Sequence, residues 1–293
     1  MSDTPLIQRA VFWAVALAIF LLLAALIIPT FARVSDTARR SVDAANLRQI
    51  GQSMLIYANN HEDRLPVATD IWDYARSLAD DAGLDGPRIW LSSADPAGDS
   101  IDTFPQSILL PGPSKPHLIN PAFRELKPSV AVALGKLNTR MPATTPIAWT
   151  RGLQPNGTWS AHSPYGKSGG YITFLGGNVA FFKALNYGEG ELVRFDGKGQ
   201  TANILEAIPP GTRIGEYTPT PDEQQEWAEA VVWTRTMGPF TRYAPLTFLT
   251  ILWLPFIAIS VCRLIKKRPG AFTVLLWPVA FTIVLFFILP GCW

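Results

Sequence analysis

An uncharged apolar run from Ala10 to Ile28 passes without a turn signal into an amphipathic stretch of helical spacing, and this junction limits the possible folds more than any other feature. The run is nineteen residues long, enough at about 1.5 Å per residue to cross roughly 30 Å of hydrocarbon. Beyond it, Val34, Ala38, Val42 and Ala45, then Leu47, Ile50, Met54 and Tyr57, recur three or four apart. Arg39, Arg40, Asp43, Arg48 and Gln52 stand between them. The pattern predicts one continuous helix, half in lipid and half packed on a soluble domain. Gly51 predicts a close approach within it, and Asn59-Asn60 followed by Pro66 predicts its end.

Several residues of this region carry a resemblance. They are the apolar span ending Ile27-Ile28-Pro29, the basic Ala38-Arg39-Arg40, the run Asn46-Leu47-Arg48-Gln49-Ile50-Gly51, and Tyr57-Ala58-Asn59-Asn60-His61 with Arg64-Leu65-Pro66. Together they resemble the N-terminal module of bacterial type IV pilin-like proteins and type II secretion pseudopilins, closest to the branch ending in a His…Asp-Gly signature. Residues 145–153 and 169–182 extend the resemblance over about the first two-thirds of the chain. It implies a long N-terminal helix covering a small antiparallel sheet, and a structural or assembly role. Two departures stand out. Family members are cleaved after a small residue, usually Gly, and carry Glu at the fifth mature position. Here Leu6-Ile7-Gln8-Arg9-Ala10-Val11-Phe12 offers neither, which argues against cleavage. His162 matches the late signature, but Gly176 stands where Asp is expected, before Gly177.

The C-terminal quarter predicts two further spans. Ala244–Val261 and Phe272–Leu289 are apolar, and between them lies Arg263-Leu264-Ile265-Lys266-Lys267-Arg268. Pro255 and Pro278 are tolerable there because neighbouring helices re-satisfy freed backbone groups. Four cations in so short a loop favour the cytoplasmic side. The N-terminus is then cytoplasmic, and the main domain and Trp293 lie on the periplasmic side of a bacterial inner membrane. Arg33, Arg39 and Arg40, which follow the first span, point the other way, but the compact hairpin loop has no acidic residue and weighs more. The expected organisation is 1–33, N-terminal segment and transmembrane helix; 34–195, pilin-like periplasmic domain; 196–243, connecting segment; 244–293, transmembrane hairpin. Cys262 and Cys292 fall on opposite sides of the membrane, so no disulfide joins them. A net charge of +2 argues against nucleic acid as a partner. The expected partners are the lipid bilayer and other pilin-like subunits or secretion-system membrane proteins.

The expected fold class is an α+β membrane protein. Residues 66–144 read as irregular, with a short helix over 71–82 stopped by Gly83 and a helical turn over 129–136. Pro146–Thr150 reads as a strand, with a tight turn at Asn156-Gly157 before Thr158-Trp159-Ser160. Tyr171–Leu175 and Asn178–Phe182 read as a hairpin closed by the two-residue loop Gly176-Gly177, and Glu191–Phe195 as a further strand. Thr220-Pro221-Asp222-Glu223 is a capping box opening a helix through Met237, with Trp227, Val231 and Thr234 on one face.

No catalytic, cofactor-binding or metal-ligating residue is assigned, and no cofactor is expected. His61-Glu62-Asp63 reads as a polar helix end. Asp80, Asp81 and Asp85 lack the alternating oxygen-ligand spacing of a calcium loop, and Asp196 reads as a turn residue. His162-Ser163 lacks a nucleophile elbow and a third partner. Gly166-Lys167-Ser168 lacks the earlier glycine of a phosphate loop, and Asn156-Gly157-Thr158, formally a glycosylation sequon, reads as a turn. The expected function is therefore structural, and the chain is not expected to be an enzyme. Extracting three spans into a filament would drag the cationic loop through the bilayer, at about 2.5–3.5 kcal/mol for each mid-bilayer cation. Permanent anchoring follows. The alternative is a periplasmic ligand-binding or sensing protein whose loops over 84–144 present Trp72, Trp90 and Phe104, although core filling explains these aromatics more simply.

Overall fold

A computed structural model describes residues 37–98, 103–187 and 191–236. The spans expected at 10–28, 244–261 and 272–289 lie outside them, as do both cysteines. Among the described residues no helix is long and apolar enough to cross a membrane.

The described chain is α+β with a small antiparallel sheet. Helix α1 occupies residues 37–60 and ends where Asn59-Asn60 predicts. Its buried face is Asp43, Leu47, Ile50, Met54 and Ala58. The expected stripe holds from Leu47 onward, but Ala38, Val42 and Ala45 are exposed. The step from Ala45 to Leu47 is only two residues, or about 200° of rotation, so the two halves of the apolar pattern lie on opposite faces. Extending the buried face toward the N-terminus leads through Asp43, a carboxylate, and not through Val42.

Helix α2 (Ile71–Ala82) has the predicted bounds. The Asp70 side chain caps it by accepting from the Asp73 N–H at 2.7 Å, and Gly83 closes it at φ 72°. A single helical turn, α3 (Pro121–Arg124), follows. Strand β1 (Val130–Leu134) then replaces the helical turn expected over 129–136. Its sequence VAVAL is buried at every position. A short strand with both faces covered shows no alternation, so periodicity alone does not separate it from a buried helix.

Strands β2 (Pro146–Thr150), β3 (Gly170–Phe174) and β4 (Val179–Phe182) match the expected strands closely. The β3–β4 connection is a three-residue loop: Phe174 N–H donates to Asn178 C=O, and Gly177 N–H, at φ 85°, donates to Phe174 C=O. The extra residue relative to the expected two-residue loop is accommodated by the left-handed Gly177. Strands β5 (Leu192–Val193) and β6 (Gln200–Thr201) form a separate two-stranded ribbon. After the turn α4 (Ile204–Ala207), strand β7 (Arg213–Gly215) pairs with β1. This strand comes from the stretch read as a connecting segment, yet it forms one edge of the sheet, whose order is β4-β3-β2-β1-β7. Helix α5 (Pro221–Thr236) completes the described chain.

Register places Gly215, Val132, Ala148, Thr173 and Val179 in one row across the sheet. Helix α1 lies on this row. A Cβ at Gly51 would come within 2.7 Å of Thr173 Cγ2 and 3.9 Å of Ile147 Cδ1, which is the close approach the sequence predicts. The Thr173 hydroxyl also donates to Leu47 C=O at 3.4 Å.

Candidate functional site

The polar groups that matter cluster where β1 and β2 begin and end. Arg151 follows β2, and its N–H donates to Ser129 C=O at 2.8 Å; Ser129 N–H donates in turn to Trp90 C=O at 2.9 Å. The ladder thus draws the 90–95 segment alongside the sheet and under α1.

Arg151 is fully buried. One terminal nitrogen lies 2.9 Å from Asp95 Oδ2, the other donates to Pro128 C=O at 2.9 Å, and both side chains of the ion pair are sealed from solvent. The Trp227 ring of α5 covers the guanidinium at 4.5 Å. Ser129 Oγ donates to Asp95 Oδ2 at 2.5 Å and accepts from Ser92 N–H at 2.9 Å. Ser92 and Tyr165 hydroxyls both donate to Asp43 Oδ2 on α1, and Ser93 N–H donates to Asp43 Oδ1 at 3.1 Å. One chain of polar contacts, buried except at half-buried Ser92, therefore runs from α1 through Asp43, Ser92, Ser129, Asp95 and Arg151 to Trp227 on α5.

The electrostatics follow from this burial. Desolvation pushes the Asp43 carboxyl above its ordinary range, against hydrogen bonds from Ser92, Tyr165 and Ser93 that favour its charge. Burial, and then Asp43 itself, pushes the Tyr165 phenol well up. Burial, then the neighbouring Arg151 cation, pushes His162 below the ordinary imidazole value. Glu216, whose carboxylate accepts from Gly152 N–H at 3.2 Å, is pushed up by burial.

Beside this network opens a cleft of about 390 Å³ between α1 and the 88–98 segment. Ser92, Ser93 and Asp95 border it, while Val42, Ile89, Leu91 and Phe104 supply apolar wall. Arg88 lies over the Phe104 ring at 4.3 Å. The size falls within the range of about 300–1,000 Å³ usual for small-ligand clefts.

The residues weighed from sequence are dispersed over other local structures. His61 stacks on Tyr57 at 3.9 Å and meets Asp81 at 3.2 Å. Asp80 pairs with His117 at 2.5 Å, Asp81 with Lys115 at 2.8 Å, and Asp85 accepts from the Ile108 and Leu109 N–H groups. These three carboxylates are thus committed to separate partners. Asp196 accepts from Lys198 N–H in a turn. Ser163 donates to Gly166 C=O, not to His162, and Gly166–Ser168 is a single 3₁₀ turn. Asn156 accepts from the Thr158 N–H and hydroxyl within its turn. At Gly176 a Cβ would meet Ala143 Cβ at 3.0 Å and Ala143 O at 3.1 Å, so this turn is built for glycine and not for the signature's Asp. Trp90 is core, and Trp72 is half-buried with its indole N–H on Leu126 C=O.

Sequence reasoning missed Asp43, Ser92, Asp95 and Arg151. For Asp43 a signal existed: it continues the Met54, Ile50, Leu47 face by four residues.

No protein-family model, curated protein or solved structure matches this chain.

Proposed function

We propose that this chain is a permanently membrane-anchored, pilin-like structural or assembly protein of a bacterial inner membrane, with its α+β domain in the periplasm. The observation that carries this reading is the two-faced character of α1. One face packs on the sheet through Leu47, Ile50, Met54 and Gly51. The opposite face leaves Ala38, Val42, Ala45, Gln49, Gln52 and Ile56 exposed at alternating spacings of four and three. That spacing is the seam by which a second helix packs, and the occupant proposed here is the corresponding helix of another pilin-like subunit. The apolar segments at both chain ends, and residues 6–12 without the Gly and Glu of a cleavage signal, support retention in the membrane. The test uses the intact chain in its native membrane: intact mass, protease accessibility of residues 66–236, and cross-linking from a cysteine at Gln52. An uncleaved end, cutting from the periplasmic side alone and a cross-link to a pilin-like subunit are the expected results. A shortened, N-methylated end or cytoplasmic cutting overturns the reading.

A second reading, a membrane-anchored periplasmic ligand-binding or sensing protein on the same fold, is favoured by one specific observation. The cleft opens against Ser92, Ser93 and Asp95, members of the network that ties α1 to α5. Saturable binding of a small molecule, with a change in α1 or α5 exposure, would promote this reading over the first.

A further inference from the structure

The cleft between α1 and the 88–98 segment combines features of a built recognition site. Its apolar wall comes from three elements: Val42 of α1, Ile89 and Leu91 of the segment below it, and Phe104. Two donor groups also line it, the Arg88 guanidinium and the Asn46 amide. Arg88 is held over the Phe104 ring. Among the described residues neither side chain has a hydrogen-bond or ion-pair partner, whereas every other charged or hydroxyl group lining the cleft is engaged: Asp95 by Arg151 and Ser129, Ser92 and Ser93 by Asp43.

We infer that this cleft binds a small monocarboxylate with an apolar or aromatic body, its carboxylate on Arg88 and Asn46 and its body against Val42, Leu91 and Phe104. A planar guanidinium takes a carboxylate through two parallel N–H bonds, and the Phe104 ring, 4.3 Å from the Arg88 guanidinium carbon, restricts where that side chain can sit. The site favours one negative charge over two. Among the described residues that line it Arg88 is the one cation, and the Asp43 carboxyl behind Ser92 disfavours a second negative charge that reaches inward. The apolar wall contributes the remainder through area removed from water. The inference is independent of membrane anchoring, and Val42 is the one cleft residue that also belongs to the exposed face of α1 described above.

The test is isothermal titration of the full chain in detergent, with empty micelles as the blank and 3-phenylpropionate and hexanoate as probes. Both acids are expected to bind saturably at one site per chain, with 3-phenylpropionamide weaker by about tenfold or more, the scale of one charge-assisted pair. Arg88→Gln should weaken the acids by a similar factor while leaving the amide unchanged. Val42→Trp, which fills the mouth from an exposed helix position, should abolish binding. Arg88 and Val42 are both exposed, so neither change threatens the fold; an unchanged thermal midpoint verifies this. Absence of saturable binding by either acid, equal binding of acid and amide, or acid binding that survives Arg88→Gln or Val42→Trp overturns the inference. None of these results bears on whether the chain is cleaved or anchored.

Discussion

Arg151 and Asp95 meet at 2.9 Å with side chains 1% and 0% exposed, and the Trp227 ring lies over the guanidinium at 4.5 Å. Such a pair holds position more than it adds net stability, because desolvation of both ions opposes their attraction. Removing one partner is a different matter, since the other charge is then stranded in the core. Asp95→Asn or Arg151→Met should each destabilise the domain by about 3–5 kcal/mol. The double variant Asp95→Leu/Arg151→Met should lie closer to the native protein than either single change. Denaturant unfolding of the full chain, followed by tryptophan fluorescence, measures all three. Additive losses would mean that the pair does not act as a unit.

The contact of α1 with the sheet depends on the missing side chain at Gly51. A methyl there would stand 2.7 Å from Thr173 Cγ2, on a buried central strand with little room to yield. Gly51→Ala gains helix propensity, yet overpacking should dominate, for a net loss of about 1–3 kcal/mol. Adding Thr173→Ser removes the opposing methyl while keeping the hydroxyl that reaches Leu47 C=O, and should recover most of the loss. Thermal midpoints of the two variants settle the matter. No recovery would place the strain elsewhere along α1.

What is legible in the sequence divides along a physical line. Helix α2, the β3–β4 hairpin and the capping box at Thr220 are local: Asp70, Gly83, Gly177 and Glu223 act within a few residues of where they stand. Strand β1 is not legible, because Val130–Leu134 is apolar on both faces and its neighbours, β2 and β7, are set by the tertiary fold. The polar network is hidden for a related reason. Asp95 and Arg151 are 56 positions apart, and Asp43 and Tyr165 are 122 apart. Asp43 reads as one of the polar spacers of α1, since the apolar residues at Val42 and Ala45 suggest a face that the packing does not use.

Glu223 makes the start of α5 pH-dependent. Its carboxylate accepts from Thr220 N–H at 2.8 Å and from the Tyr217 hydroxyl, and lies 2.6 Å from Lys127 Nζ. Burial opposes the charge, but Lys127, the Thr220 N–H and Tyr217 together overcome it and hold the carboxyl down at about 2, against an ordinary value of 4.5. A depressed carboxyl stabilises the fold fully above the ordinary value, and that stability is lost as pH falls through about 2. Glu223→Gln should therefore cost about 1 kcal/mol at pH 7, the scale of a capping and surface-pair contribution. The cost should vanish near pH 2. Hydrogen exchange at the first turn of α5, compared at pH 7 and at low pH, reads this out. Equal protection of variant and native protein at pH 7 would sink it.

Asp43 should show the opposite sign. Its carboxyl is buried under Tyr165, Ser92 and Ser93, and desolvation raises it above 3.8. Between the ordinary value and the raised one, the folded protein holds a proton that the unfolded chain has released. Stability therefore falls as pH rises through that window, and above it the full penalty of a buried charge is present. An asparagine in its place would be neutral throughout, so Asp43→Asn should flatten this part of the profile. The variant loses one accepting oxygen, however, because its amide nitrogen donates where the carboxylate accepted from Tyr165 or Ser93. The expected change is thus in slope and not in height. The difference in unfolding free energy, variant minus native, should increase as pH rises from the ordinary carboxyl value through the raised one. Urea titrations of the full chain at a series of pH values give that difference directly. Parallel profiles would show that Asp43 titrates in the fold as it does in the unfolded chain, and that its hydrogen bonds fully offset its burial.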